Sequence, residues 1–400
     1  MRVLQVIPSV SQVHGGPSVA IWEIAHGLQQ HGASTLVLTT DHNGRGQRLS
    51  LDQAKELAGG IPIVVKPVTT EFYTASWQGA IWLLRNVRNF DVVQAHALFS
   101  FMPVFAALVA RVYRVPFVLR PLGTLAAYGL TERRPWLKQA SVALIERRLL
   151  RAAKAVHCTS LAEAVEVKAV CPEARTAVVP LSIRSAEVVS SAAIASLRVE
   201  LGDGPVVLFL SRLDPKKNVE TLLRSIEHVV EVKSRTLFVI AGSGDAAYSK
   251  SLHMLASELG VARHVRWLGH VEGDRKAALL ATACVFVLPS FAENFGIAVG
   301  EALAAGLPCV VTPGVAIADD IVAAGAGVVV ETNAKAVAAG ILRFLQSDAA
   351  CESASQAARA LAAREYSRER LGQRLMHIYE NPDPMCNSPL QGTDVGSDSK

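Results

Sequence analysis

Leu288 to Thr312 reads LPSFAENFGIAVGEALAAGLPCVVT, and its two carboxylates are the most chemically telling pair in the chain. Glu293 falls in the loop after an apolar run ending at Pro289. Gly296 then opens a segment of good helix formers, which Gly306-Leu307-Pro308 stops. Backbone N–H groups at Asn294, Phe295 and Gly296 therefore lie at a helix start, where unpaired amides and the helix dipole favour an anion. Glu293 can accept hydrogen bonds from sugar hydroxyls. Glu301, inside the helix, can hold a vicinal diol with both oxygens. The spacing does not suit a retaining glycosidase pair, whose carboxyls stand about 5 Å apart across one bond.

Arg212 and Lys217 supply the cations. Both lie in Ser211-Arg212-Leu213-Asp214-Pro215-Lys216-Lys217-Asn218, directly after the apolar run Val206–Leu210. A departing diphosphate gains negative charge as its bond breaks, and positioned cations stabilise that charge. Lys216 is assigned to solvent. Gly15 and Gly16, in Ser11–Ser18 after the first apolar run, allow close backbone approach to a phosphate or sugar, although a plain turn accounts for them equally well. His96 ends Asp91-Val92-Val93-Gln94-Ala95-His96 and is expected to face a ligand from a strand end. A core histidine capping the strand is the competing reading. Gly242-Ser243-Gly244-Asp245-Ala246-Ala247 fits G-x-G-x-x-A but follows the second strand of its half, the wrong place for a dinucleotide fingerprint. The chain has no D-x-D triplet and no C-x-x-C or Cys/His cluster, so neither a metal nor another cofactor is expected.

These groups need a scaffold of strands ending at one edge. Short apolar runs alternate with helical segments, which predicts parallel βα units. Strands are expected at Val3–Pro8, Ser34–Thr39, Ile63–Lys66, Val92–Ala95, Phe117–Arg120, Ala155–Cys158 and Thr176–Val179. The pattern restarts with Val206–Leu210, Leu237–Ala241, Val265–Leu268, Val285–Pro289, Cys309–Thr312 and Gly327–Val330. Helices are expected over Ser18–Gln30 and Leu98–Tyr113. Leu181–Leu201 reads as a linker and 381–400 as a disordered tail. The fold class is thus α/β: two Rossmann-like domains, 1–182 and 183–380, with parallel sheets facing a central cleft, and a last helix able to pack back on the first. At 400 residues with half of them apolar, the chain has enough core for two domains, and a net charge of +5 does not imply nucleic-acid binding. No apolar stretch reaches the ~20 residues of a membrane span. The start Met1-Arg2-Val3-Leu4 reads as a strand and not a secretory signal, so a cytoplasmic location is expected.

The E-x7-E segment, Glu293-Asn294-Phe295-Gly296 through Glu301 to Gly306-Leu307-Pro308, resembles the signature of retaining GT-B glycosyltransferases of family 4. The family's G-R-L-x-x-x-K-G is matched at Arg212 and Lys217. Ser211 and Asn218 replace its glycines, and Asn tolerates a left-handed backbone. The family often has His-x-His where this chain keeps only His96, with Gln94 in the first place. The resemblance implies transfer of a hexose from a UDP- or GDP-sugar, with retention, to a saccharide or lipid-linked acceptor in cell-surface polysaccharide synthesis. It implies His96 and Glu293 as catalytic residues. Gly15, Gly16, Arg212, Lys217, Asn294, Phe295, Gly296 and Glu301 would bind the donor, with no metal. The basic, leucine-rich stretch 132–154 is a candidate for peripheral contact with a membrane. A sugar-nucleotide epimerase of the same architecture, or a non-catalytic nucleotide-sugar-binding subunit, are the alternative readings.

Overall fold

The computed structural model describes residues 1–125, 135–183 and 189–381. The expected tail beyond Asn381, and 132–134 of the basic stretch, lie outside them. The chain forms two compact units. Met1–Ser182 with the residues from Arg368 onward make one, and Ile183–Ser367 the other.

The first unit holds a seven-stranded parallel sheet of β1 (Arg2–Ser9), β2 (Ser34–Thr40), β3 (Ile63–Lys66), β4 (Val92–His96), β5 (Phe117–Arg120), β6 (Ala155–Cys158) and β7 (Thr176–Val178), in the order β3-β2-β1-β4-β5-β6-β7. The order turns at β1, where its two parallel neighbours are β2 and β4. The central strands are buried throughout, as apolar runs covered on both faces by helices must be. One core cluster gathers Leu4, Val93, Met102, Phe117 and Leu150; another packs Ile21, Trp22 and Ala25 of helix Gly16–Gln30 against Ile7 and Val37.

The final helix, Arg368–Glu380, completes this unit by packing along Gly16–Gln30. The Arg368 guanidinium donates through Nε to Glu23 Oε2 and through a terminal nitrogen to Glu23 Oε1, both at 2.9 Å. Glu23 is almost fully buried, so this fork compensates a carboxylate taken out of water.

The second unit repeats the pattern with β8 (Val206–Leu210), β9 (Leu237–Ala241), β10 (Val265–Gly269), β11 (Val285–Leu288), β12 (Cys309–Val311) and β13 (Gly327–Val329), ordered β10-β9-β8-β11-β12-β13. Every registered pairing among these strands is parallel. The expected linker Leu181–Leu201 is not one throughout. Ser190 caps a helix over Ser191–Leu201 with its side chain on the Ala193 amide, and that helix packs on helix Gly273–Thr282. Its alanines and serines hid the helix, because they give a weak apolar stripe while Ser190 supplies a good start signal.

Candidate functional site

The carboxyl ends of β8 and β11 bring the candidate donor-binding residues of the second unit together. After β11 the chain runs through Glu293 to Gly296, which starts helix Ile297–Ala305 from a left-handed backbone with φ 80°. A side chain at Gly296 would also meet the Glu293 Cγ at 3.2 Å, so glycine fits on both counts. The helix begins one residue later than a site made of Asn294–Gly296 amides requires. Ile297, Ala298 and Val299 therefore supply the first-turn N–H groups without intrahelical acceptors. Phe295 turns inward: its ring is buried and meets Tyr366 edge-on at 5.4 Å. Asn294 is half-buried.

Glu293 is pinned by its backbone. Its amide donates to Gly314 O at 2.8 Å and its carbonyl accepts from the Ala316 amide at 3.0 Å. The carboxylate forms an ion pair with Lys217 Nζ. Lys217 is buried, on a short 3-10 turn after β8 that Asp214 caps. Asn218 adopts φ 54° and ψ 49°, the left-handed backbone expected where the family has glycine, and its side chain donates to Pro289 O at 3.1 Å. That bond ties the β8 loop to the β11 loop, so Lys217 and Glu293, 76 residues apart, meet by construction. Arg212 is exposed, and its guanidinium has no partner among the described residues. Lys216 is half-buried and not simply solvated; its carbonyl accepts from the Phe291 amide at 2.8 Å.

Glu301 sits in the same helix, with Oε1 at 2.7 Å from Lys276 Nζ. Lys276, its partner, is a candidate the sequence did not single out. It lies on helix Gly273–Thr282 among other charged residues, and nothing local marks it. The Gly242/Gly244 loop has a backbone purpose. A side chain on Gly242 would lie 1.7 Å from Ser211 O and one on Gly244 would lie 2.0 Å from Leu213 O. The Leu213 amide donates to Ser243 O at 2.9 Å across this contact, so both glycines let the β9 loop brace the Arg212 loop.

In the first unit, Gly15 takes φ 71° and Gly16 opens helix Gly16–Gln30 beyond β1. Ser18 Oγ donates to Ser11 O at 2.6 Å and closes this turn. His96 does end a strand, but its ring is completely enclosed, contrary to the expected open position. A directional chain of hydrogen bonds fixes it. Arg120 donates to His96 Nδ1 at 3.5 Å, and His96 Nε2–H donates to Gln5 Oε1 at 2.6 Å. Gln5 donates to the Tyr379 hydroxyl, which donates to Gln94 Oε1. Gln94 donates to His157 Nδ1 at 3.0 Å, and His157 Nε2–H ends on Val179 O at 2.8 Å. Each group accepts from one neighbour and donates to the next, which assigns both imidazoles as neutral Nε2–H tautomers. Burial, then the Arg120 charge, holds His157 down to about 3; the same two causes, followed by His157, hold His96 well below its ordinary value. Gln94, the departure from the His-x-His pattern, is thus a link in this chain.

The carboxyl edge of this sheet is also strained. Ala97 (φ 79°), Phe99 (φ 55°) and Leu122 (φ 60°) are left-handed without being glycine, and such residues cluster where a loop has a task beyond connection. Glu146 holds the first loop by accepting from the Phe99 amide at 3.1 Å. Burial pushes the Glu146 carboxyl up to about 7, against hydrogen bonds from Phe99 and Ser141. Because the folded-state value lies above the ordinary 4.5, the folded chain holds the extra proton, and stability falls as pH rises from about 4.5 to 7. Glu146→Gln is expected to match the parent at pH 4 and to exceed it at pH 8 by up to roughly 3 kcal/mol, at about 1.4 kcal/mol per pKa unit. Urea melts at the two pH values check it; equal curves at pH 8 contradict it.

Two Rossmann-like units with carboxylates, cations and first-turn amides at strand ends define the GT-B class of glycosyltransferase architecture. Glycosyl transferases group 1 matches residues 198–361, and the glycosyl transferase 4-like domain matches residues 15–182. The chain belongs to this glycosyltransferase family. It is 43% identical over 110 residues to an uncharacterized glycosyltransferase of Methanocaldococcus jannaschii, covering 28% of this chain and 27% of that protein. It is 32% identical over 179 residues to the phosphatidyl-myo-inositol mannosyltransferase of Mycobacterium leprae, covering 44% of this chain and 46% of that one. The matched segments thus span less than half the length of these relatives. In fold the chain is similar to Anabaena Alr3699/HepE, whose structure contains UDP and glucose, with TM-score 0.75, 19% identity and coverage of 94% of this chain and 98% of that one.

Proposed function

We propose that the chain transfers a hexosyl group from a UDP- or GDP-sugar to a saccharide acceptor, with retention of anomeric configuration. The observation that carries the reading is the Lys217–Glu293 pair beside the first turn of helix Ile297–Ala305, with Arg212 exposed on the loop before Lys217. A sugar diphosphate brings both chemistries this pair can exchange for: phosphate oxygens for Lys217 and hydroxyl donors for Glu293. Arg212 adds a second cation for the leaving group, whose charge grows in the transition state. Glu301 holds the ribose diol. Retention then proceeds by same-face attack, with the departing phosphate taking the acceptor proton. His96, enclosed as it is, positions the carboxyl edge of the first sheet and does not touch the acceptor proton.

The catalytic charges come from side chains, so the reaction needs no metal. Activity in excess EDTA is expected to stay within about twofold of the untreated rate, since Arg212 and Lys217 supply the charge a bridging ion would. Complete loss, restored by Mg²⁺ or Mn²⁺, contradicts this. The acceptor is a saccharide on a lipid carrier in cell-surface polysaccharide synthesis. This rests on the resemblance and on relatives such as the M. leprae protein, which is named a phosphatidyl-myo-inositol mannosyltransferase. Among the described residues no helix is long and apolar enough to cross a membrane. The reading is tested by incubating the protein with UDP- and GDP-sugars, with and without saccharide acceptors. Nucleoside diphosphate released only when acceptor is present supports transfer. Isomerised donor without release supports epimerisation instead.

A further inference from the structure

At the amino edge of the first sheet, opposite the strand ends that carry the candidate chemistry, a depression of about 460 Å³ is lined by eight residues; four are cations and none is acidic. The topology explains the row. Lys154 and Arg175 directly precede β6 and β7, and Arg114 lies three residues before β5; the three strands are adjacent and parallel. Neighbouring strands lie about 4.8 Å apart, which sets Lys154 beside Arg175. Arg111, at the end of helix Phe101–Val112, adds the fourth.

Lys154 and Arg175 are held in place through backbone carbonyls, Lys154 Nζ donating to Tyr379 O at 2.5 Å and Arg175 to Ala153 O at 3.0 Å. The guanidinium groups of Arg111 and Arg114 have no partner among the described residues. The nearby acids are otherwise engaged or distant: Glu173 pairs with Arg151 at 2.5 Å, and Glu380 acts on Lys154 only through its charge. Arg114 also has φ 59°, directly after the residue that ends the helix, a place where glycine normally sits. An arginine there accepts backbone strain that glycine avoids, so the cation is kept where the backbone disfavours it.

We propose that this depression is a second binding site, for a multiply charged phosphate anion, separate from the donor site. The ligand is either a free phosphate compound or the headgroup of an anionic lipid. Four cations line one depression with no acid among them, and a diphosphate-sized group accepts from several at once.

The test uses the full chain at low salt. Because the proposed donor site also takes a diphosphate, the parent and the double variant in this test both carry Arg212→Ala and Lys217→Ala; inorganic pyrophosphate is then titrated calorimetrically, and flotation is measured with phosphatidylcholine vesicles with and without phosphatidylglycerol. The double variant Arg111→Gln/Arg114→Gly keeps the fold, because glycine adopts the left-handed backbone freely. It is expected to bind the anion about tenfold or more weakly, two charge-assisted hydrogen bonds having been removed. The donor-site changes are themselves expected to leave binding at the depression in place. Pyrophosphate binding lost in the double variant identifies a free phosphate ligand. Flotation with phosphatidylglycerol lost in that variant, without pyrophosphate binding, identifies a headgroup. No binding by the parent in either assay, or binding that survives in the double variant, overturns the proposal.

Discussion

Arg212→Ala is expected to lower turnover by about 10²–10³-fold, some 3–4 kcal/mol, the scale seen when one donor is removed from a site that stabilises developing charge. Its melting temperature is expected to stay that of the parent, because Arg212 is exposed and its guanidinium has no partner among the described residues. Lys217→Ala is expected to lower turnover by a similar factor, but for two reasons. It removes the proposed phosphate ligand and it frees the Glu293 carboxylate from its ion pair. Steady-state rates with purified variants decide the matter, with thermal melts alongside. Near-parental rates in both variants would mean that the leaving group is held elsewhere.

Glu293→Gln and Glu301→Gln are expected to fail in different ways. Glu293 is fixed by its backbone between the β11 and β12 loops and reaches Lys217, and the proposed donor would place its sugar–diphosphate bond beside it. Positive charge grows on the sugar during transfer, and a neutral amide answers it less well. Its loss is expected mainly in kcat, by about 10²-fold or more. Glu301 lies within helix Ile297–Ala305 and is paired with Lys276. A ribose diol is held equally in the ground and transition states, so Glu301→Gln is expected mainly to raise KM. Kinetics at saturating donor separate the two. A kcat defect confined to Glu301→Gln, with Glu293→Gln nearly silent, reverses the direction of the donor along this helix.

The parallel sheets were legible in the sequence because buried strands leave continuous apolar runs. Phe117–Arg120, Ala155–Cys158, Val206–Leu210 and Leu237–Ala241 fall where those runs predict. Residues whose chemistry is local were legible too. Glu293, Gly296 and Glu301 sit on one loop and helix, and Asn218 carries the left-handed turn that its side chain permits. What stayed hidden was pairing across distance. Lys217 with Glu293, Lys276 with Glu301 and Tyr379 with Gln94 join residues 76, 25 and 285 positions apart, and no periodicity records such contacts. The enclosure of His96 was hidden for the same reason, since the groups that satisfy it come from β1, β5 and, through Gln5, the final helix. Helix Ser191–Leu201 was missed because its small residues give little apolar signal, despite the cap at Ser190.

The central claim is that the strand ends of the second unit hold a nucleotide sugar, and a thermal-shift panel of UDP- and GDP-sugars on the parent and Glu301→Gln tests it most directly. A ligand that binds only the folded state stabilises it by RT ln(1 + [L]/Kd), about 2.7 kcal/mol at a hundredfold excess over Kd. At least one donor is expected to raise the melting temperature of the parent, by a shift that shrinks sharply in Glu301→Gln. No stabilisation by any donor, or a shift equal in parent and variant, contradicts it.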